Sequence, residues 1–163
     1  MTRRTIIMLT GMTLLGLALA ASPQVALAQS DPLDGIWQVN LAKSKLAGAF
    51  AGWKSMALYL HGEGQNRRDT VVAIDAQGNP FSGVLMHIYD GQPHPSTGSP
   101  DIDASAYTRV DAHTINYSRT KAGKVVSTGT IAVSQDGKSQ TITDKGTDAS
   151  GREWNSVAVF DKQ

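Results

Sequence analysis

From Ser55 onward, apolar and polar side chains alternate in short runs separated by turn-forming residues. Ser55–His61 sets Met56, Leu58 and Leu60 against Ala57, Tyr59 and His61. A period of two is that of a strand, whose successive side chains point to opposite faces. Arg68–Asp75 is rich in β-branched residues, and Phe81–Tyr89 continues the pattern. Ser105–Val110, Thr114–Thr120, Lys124–Val133, Ser139–Lys145 and Glu153–Phe160 repeat it. Between them lie Gly62–Asn66, Ala76–Pro80, Lys121-Ala122-Gly123, Ser134–Gly137 and Gly146–Gly151. Their Gly, Asn, Asp and Pro residues are the ones turns select, and Asp136-Gly137 supplies the positive φ angles of a hairpin. An earlier strand is predicted over Gly35–Asn40. Leu41–Phe50 is Ala- and Lys-rich and has room for a short helix, which Gly48 and Gly52 keep from growing long. Asp90–Asp103, with its prolines and glycines, reads as a long loop.

About nine short strands joined by sequential hairpins predict an all-β fold. Closure into an antiparallel up-and-down barrel protects strand edges best. The expected fold is such a barrel of eight or nine strands with at most a short N-terminal helix. Alternation does not say which faces are interior. Trp154, Ser156, Ala158 and Phe160 oppose Asn155, Val157 and Val159, and Phe81, Leu85 and Tyr89 oppose Val84, Met86 and Ile88. Both faces of each strand are mixed. Cover from the N-terminal helix or a partner chain is the plainer explanation, and an outer hydrophobic patch over a lined barrel interior is the other.

The first residues follow a different rule. Arg3 and Arg4 precede an apolar stretch from Ile6 to Ala21, then Pro23 and Ala26-Leu27-Ala28. A positive n-region, a short apolar core and an A-x-A site describe a secretory signal peptide over residues 1–28, cleaved near Ala28. The run is shorter than the ~20 apolar residues a spanning helix needs. The arginine pair fits an ordinary n-region better than a twin-arginine signal. The expected location is therefore periplasmic or secreted. Gln29–Asp34 would be a flexible lead-in to a single domain, 29–163.

Composition narrows the partners. The 163-residue chain has a formal net charge of +1, and two of its positive charges, Arg3 and Arg4, sit in the signal, which leaves residues 29–163 near neutral. A near-neutral domain offers no basic face to nucleic acid. There is no Cys, which excludes disulfides, a lipidated cysteine and a cysteine nucleophile. No long apolar run follows residue 28, so no transmembrane segment is expected after it.

Gly35-Ile36-Trp37 opens the first strand of what reads as an up-and-down barrel. This resembles the Gly-x-Trp signature of lipocalins and the wider calycin group. In that group the Trp closes one barrel end and packs on a basic side chain from a late strand. Trp37–Lys45, Tyr89-Asp90-Gly91, Ser96-Thr97-Gly98 and Gly146-Thr147-Asp148-Ala149 with Gly151 are similar to a family of small exported bacterial proteins of uncharacterised function. The resemblance implies a lipocalin-like barrel over residues 29–163, with Gly35 and Trp37 structural. It leaves Arg109 and Arg152 as candidates for the basic partner, Arg109 being the structural residue taken forward.

Candidate chemistry is sparse. His87 and His94 flank Asp90, but at no established zinc spacing; no metal site and no cofactor are expected. The carboxylate pairs Asp101/Asp103 and Asp31/Asp34 read as solvated loop residues, and Arg67-Arg68 as a solvated face. No Gly-x-Ser-x-Gly elbow is present, and no catalytic residue is nominated. The densest group of polar ring side chains is His87, Tyr89 and His94, around Asp90. Loops at a barrel mouth often carry binding function, so His87, Tyr89, Asp90 and His94 are the candidate ligand contacts. The favoured reading is a barrel that binds a small hydrophobic or amphipathic molecule, as a monomer or weak oligomer. A filled structural or protein-interaction barrel, and an enzyme with a mouth site at His87, Asp90 and His94, stand as alternatives.

Overall fold

The alternation seen after Ser55 resolves into strands paired edge to edge in one continuous sheet. The computed structural model describes residues 31–63, 66–96, 101–148 and 150–163. The signal-peptide reading of residues 1–28 lies outside them. The strands are β1 (Gly35–Val39), β2 (Ser55–Glu63), β3 (Asn66–Ile74), β4 (Pro80–Ile88), β5 (His94–Pro95), β6 (Ala104–Arg109), β7 (Thr114–Lys121), β8 (Lys124–Val133), β9 (Ser139–Thr147) and β10 (Glu153–Lys162). Their order is β4-β3-β2-β1-β10-β9-β8-β7-β6-β5, every pair antiparallel. Sequential hairpins account for all but one junction. The exception is β1 with β10, where Trp37 pairs with Lys162 and Val39 with Phe160.

The barrel is nearly closed. β4 and the β5–β6 pair face each other across a seam without a ladder, and the isolated bridge Asp90–Thr108 spans it. Two expectations change in detail. The long loop Asp90–Asp103 contains β5, making ten strands. Leu41–Phe50 holds two single 3-10 turns, Leu41–Lys43 and Gly48–Phe50, in place of a helix. Gly48, at φ +55°, and the main-chain pairing of Lys45 with Val157 keep it from forming one. Among the described residues no helix is long and apolar enough to cross a membrane.

Trp37 fixes one end of the core. It is fully buried, and its Nε1 donates to the Leu33 carbonyl at 2.9 Å. Leu33 is itself fully buried, so the described part of the supposed flexible lead-in is a packed plug. The cation over the Trp37 ring is Lys162, 5.0 Å from its centroid, and neither Arg109 nor Arg152. The reason is register, since Trp37 and Lys162 are cross-strand partners. Gly35 belongs to the same arrangement. Its φ is +132°, and a Cβ there would come within 2.7 Å of the Lys162 side chain. At the other end Trp53 packs against Phe81, ring centroids 5.5 Å apart.

The inward faces are now fixed. Trp154, Ser156, Ala158 and Phe160 point in, as do Met56, Leu58 and Leu60. Ile36, Tyr59, Val84 and Met86 point out and stay exposed. The 3-10 turns pack on β10 and cover none of them, so a covering N-terminal helix does not account for the two-sided apolarity.

Candidate functional site

Arg67 and Asp69 sit two residues apart on β3, on the same face as Val71 and Ala73. Parity therefore sends them inward, and both are buried, with Arg67 only 1% exposed. Arg67 Nε donates to Asp69 Oδ1 at 2.7 Å. The solvated-face reading holds for Arg68 and fails for Arg67, because neighbours on a strand take opposite faces. His87, the register partner of Arg67 on β4, follows it into the interior. Its Nδ1 lies 3.3 Å from Asp69 Oδ2, and its ring stacks on Tyr107 of β6 across the seam, centroids 3.9 Å apart.

From Tyr107 the polar girdle runs on around the barrel in register: Tyr107 with Tyr117, Tyr117 with Gly129, Gly129 with Asp144, Asp144 with Ser156. Gly129 is the space Tyr117 needs, since a Cβ there would meet Tyr117 Cζ at 2.4 Å and the Thr143 carbonyl at 2.2 Å. Arg119 lies over Tyr117, 4.5 Å from its centroid, and pairs with Asp144. Beside the girdle run Ile115, Ile131, Ile142 and Ala158, an apolar row one step along each strand.

Burial sets the protonation states. Desolvation, then the charges of Arg67 and Arg119, push the His87 pKa down to about 3. Asp69 pulls the other way but is already engaged by Arg67, so His87 is a neutral imidazole and a feeble base. Desolvation raises Asp69 and Asp144 above the usual carboxylate range, each opposed by its arginine. The phenols of Tyr107, Tyr117 and Tyr89 are likewise raised by burial.

Hydrogen bonding in the girdle is incomplete. Arg67 Nη1, both ring nitrogens of His87, the Tyr89 hydroxyl and Asp144 Oδ1 are buried without an aligned hydrogen-bond partner among the described residues. Most buried polar atoms in folded proteins are satisfied, so such a cluster is a candidate ligand site.

The four nominated ligand contacts divide. His87 and Tyr89 belong to this interior. Asp90 and His94 stand at the surface as their own pair, His94 Nε2 being 3.0 Å from either Asp90 oxygen. The Gln92 backbone N–H, and then His94, hold Asp90 below the usual carboxylate range. Arg109 clamps the seam, stacking 4.9 Å over Tyr89 and pairing with Asp31. The loop carboxylates also have structural partners: Asp34 accepts from Gly62 N at 2.9 Å, and Asp103 from Lys121 and Ala122 N. No group of three metal-ligating side chains occurs among the described residues. Sequence reading missed Arg67, Asp69, Tyr107, Tyr117, Arg119 and Asp144. For all of these but Tyr107 the available signal was parity, since each shares its strand face with an aliphatic residue: Val71, Ile115 or Ile142.

No family model matches the chain, and no curated protein matches it in sequence. Solved structures do resemble it. A fatty acid binding protein of Schistosoma mansoni, in complex with arachidonic acid, superposes with a TM-score of 0.54 at 7% identity, over 81% of this chain and 96% of that one. An ileal bile acid-binding protein of zebrafish complexed with cholic acid gives 0.48 at 9% identity, over 81% and 99%. At such identities the likeness concerns architecture alone: the chain shares the antiparallel β-barrel fold of that fatty acid binding protein.

Proposed function

We propose that this protein is an exported carrier that takes a small amphipathic molecule into its barrel, the polar end on the girdle and the apolar part along the aliphatic row. The observation that supports it is the set of polar atoms without an aligned partner on Arg67, His87, Tyr89 and Asp144 inside the barrel, beside the aliphatic row. An unsatisfied buried polar group costs about 1–3 kcal/mol, and a bound polar group that satisfies several of them recovers part of that cost. The seam between β4 and β6 is the natural way in, being held by side chains and one bridge. The arachidonic acid in the Schistosoma mansoni neighbour is consistent with this use of the fold.

The test is native mass spectrometry of the protein purified from its own host, compared with a denatured sample. A small molecule of one-to-one stoichiometry lost on denaturation is expected. A bare native mass, together with no uptake of the uncharged dye N-phenyl-1-naphthylamine, overturns the reading.

A second reading rests on the outside of the barrel. Ile36, Tyr59, Val84 and Met86 line a shallow hollow of about 720 Å³ on the outer face of β1–β4. Such a patch suits a protein-interaction barrel. Concentration-dependent self-association or a stable partner, without ligand uptake, favours it.

A further inference from the structure

The carrier reading leaves the chemistry of the cargo's polar end open, and the charges of the girdle bear on it. Arg67 is bound to Asp69 at 2.7 Å with both groups buried, and Arg119 is bound to Asp144. Each interior arginine already has its own carboxylate. His87 is neutral and the three phenols keep their protons. Neither Arg67 nor Arg119 is therefore a lone cation waiting for an anionic cargo.

The unpartnered atoms are mixed in kind. Arg67 Nη1 can only donate. Asp144 Oδ1 accepts. Neutral His87, its Nδ1 facing Asp69 Oδ2 at 3.3 Å, offers Nε2 as an acceptor, and Tyr89 a hydroxyl that both donates and accepts. A carboxylate only accepts. It would face Asp144 Oδ1 without a donor, and it would leave the interior with an uncompensated negative charge in a medium that solvates charge poorly.

Resting on the carrier reading, we infer that the cargo's buried end is uncharged and both donates and accepts hydrogen bonds, as an alcohol or a primary amide does, and that ionised fatty acids are poor ligands. The girdle then selects against the acid form of a chain whose alcohol or amide it holds.

The experiment is displacement of N-phenyl-1-naphthylamine from the purified full-length domain at pH 8 by decanol, decanamide and decanoate, which share one chain length. The neutral pair is expected to displace the dye at concentrations at least about tenfold below decanoate, a tenfold ratio being ~1.4 kcal/mol. Asp69→Asn releases Arg67 from its carboxylate and is expected to move the preference about tenfold or more toward decanoate. Asp144→Asn does the same through Arg119 and serves if the first variant does not fold, which circular dichroism reports. Decanoate binding as tightly as decanol to the native chain overturns the inference and leaves the carrier reading standing. A native preference for the neutral pair that folded Asp69→Asn and Asp144→Asn both leave unmoved overturns the assignment to these ion pairs. Failure of the dye and all three competitors to bind removes the carrier reading itself.

Discussion

The stacking of His87 between Asp69 and Tyr107 makes the barrel's stability depend on pH in a calculable way. In the unfolded chain an imidazole binds a proton near its ordinary value of 6.5, whereas in the folded barrel burial and two arginines hold it to about 3. Between these values the unfolded state binds more protons, so this group makes stability fall as the pH falls below 6.5. Each unit of difference corresponds to ~1.4 kcal/mol. From pH 7 to pH 5 the wild-type chain should lose about 2 kcal/mol from His87 alone. Urea unfolding at both pH values measures the total loss, and His87→Gln isolates the share of this residue, because Gln cannot titrate. The surface carboxylates whose pKa values are lowered in the fold, such as Asp148 and Asp161, contribute equally to both proteins and cancel in the difference. The variant is expected to be less stable at pH 7, having lost a ring stack of about 0.5–1.5 kcal/mol, but to show a shallower pH dependence. Equal losses in the two proteins between pH 7 and pH 5 would refute the claim that His87 is held neutral by burial.

Two further outcomes follow from backbone and packing. Gly129→Ala places a methyl group 2.2 Å from the Thr143 carbonyl and 2.4 Å from Tyr117, and should cost about 1–3 kcal/mol in a denaturant melt as the girdle is displaced; an unchanged midpoint would mean that Tyr117 does not lie across this strand. Ala122 holds φ at +48° in the turn before β8, so Ala122→Asn, which tolerates that region and creates the favoured Asn-Gly hairpin pair, should raise stability by about 0.5–1 kcal/mol, measured by the same melts.

The strand rhythm was legible because each hairpin carries its own turn chemistry: Asp136-Gly137 and Ala122-Gly123 sit where the chain reverses, with positive φ at Gly137, Ala122 and Gly123. The barrel interior was not, because period two assigns residues to faces without saying which face is inside. Arg67 and Arg68 are the same residue type side by side, and only the register against Val71 and Ala73 buries the first and exposes the second. The cation on Trp37 was hidden for a related reason. It depends on the β1–β10 register, which pairs Trp37 with Lys162 and which no local pattern encodes. The Tyr89-Asp90 neighbourhood was found by its density of polar rings, but density could not separate His87 and Tyr89 inside from Asp90 and His94 outside.

The pairing of β1 with β10 also sets the order in which the molecule can assemble. Asn40 and Asp161, joined side chain to side chain at 2.7 Å, are 121 positions apart. Hairpins from β2 to β10 can form locally, but β1 has one edge that only β10, at the far end of the chain, satisfies. Contacts of such high sequence separation raise contact order and slow the final step. Until β10 arrives, two apolar sheet edges stay open to strands of other molecules, the situation in which β-proteins aggregate. The last ten residues of the barrel thus act as a kinetic lock, and the interval before they dock is when the chain most needs to be kept apart from its own copies.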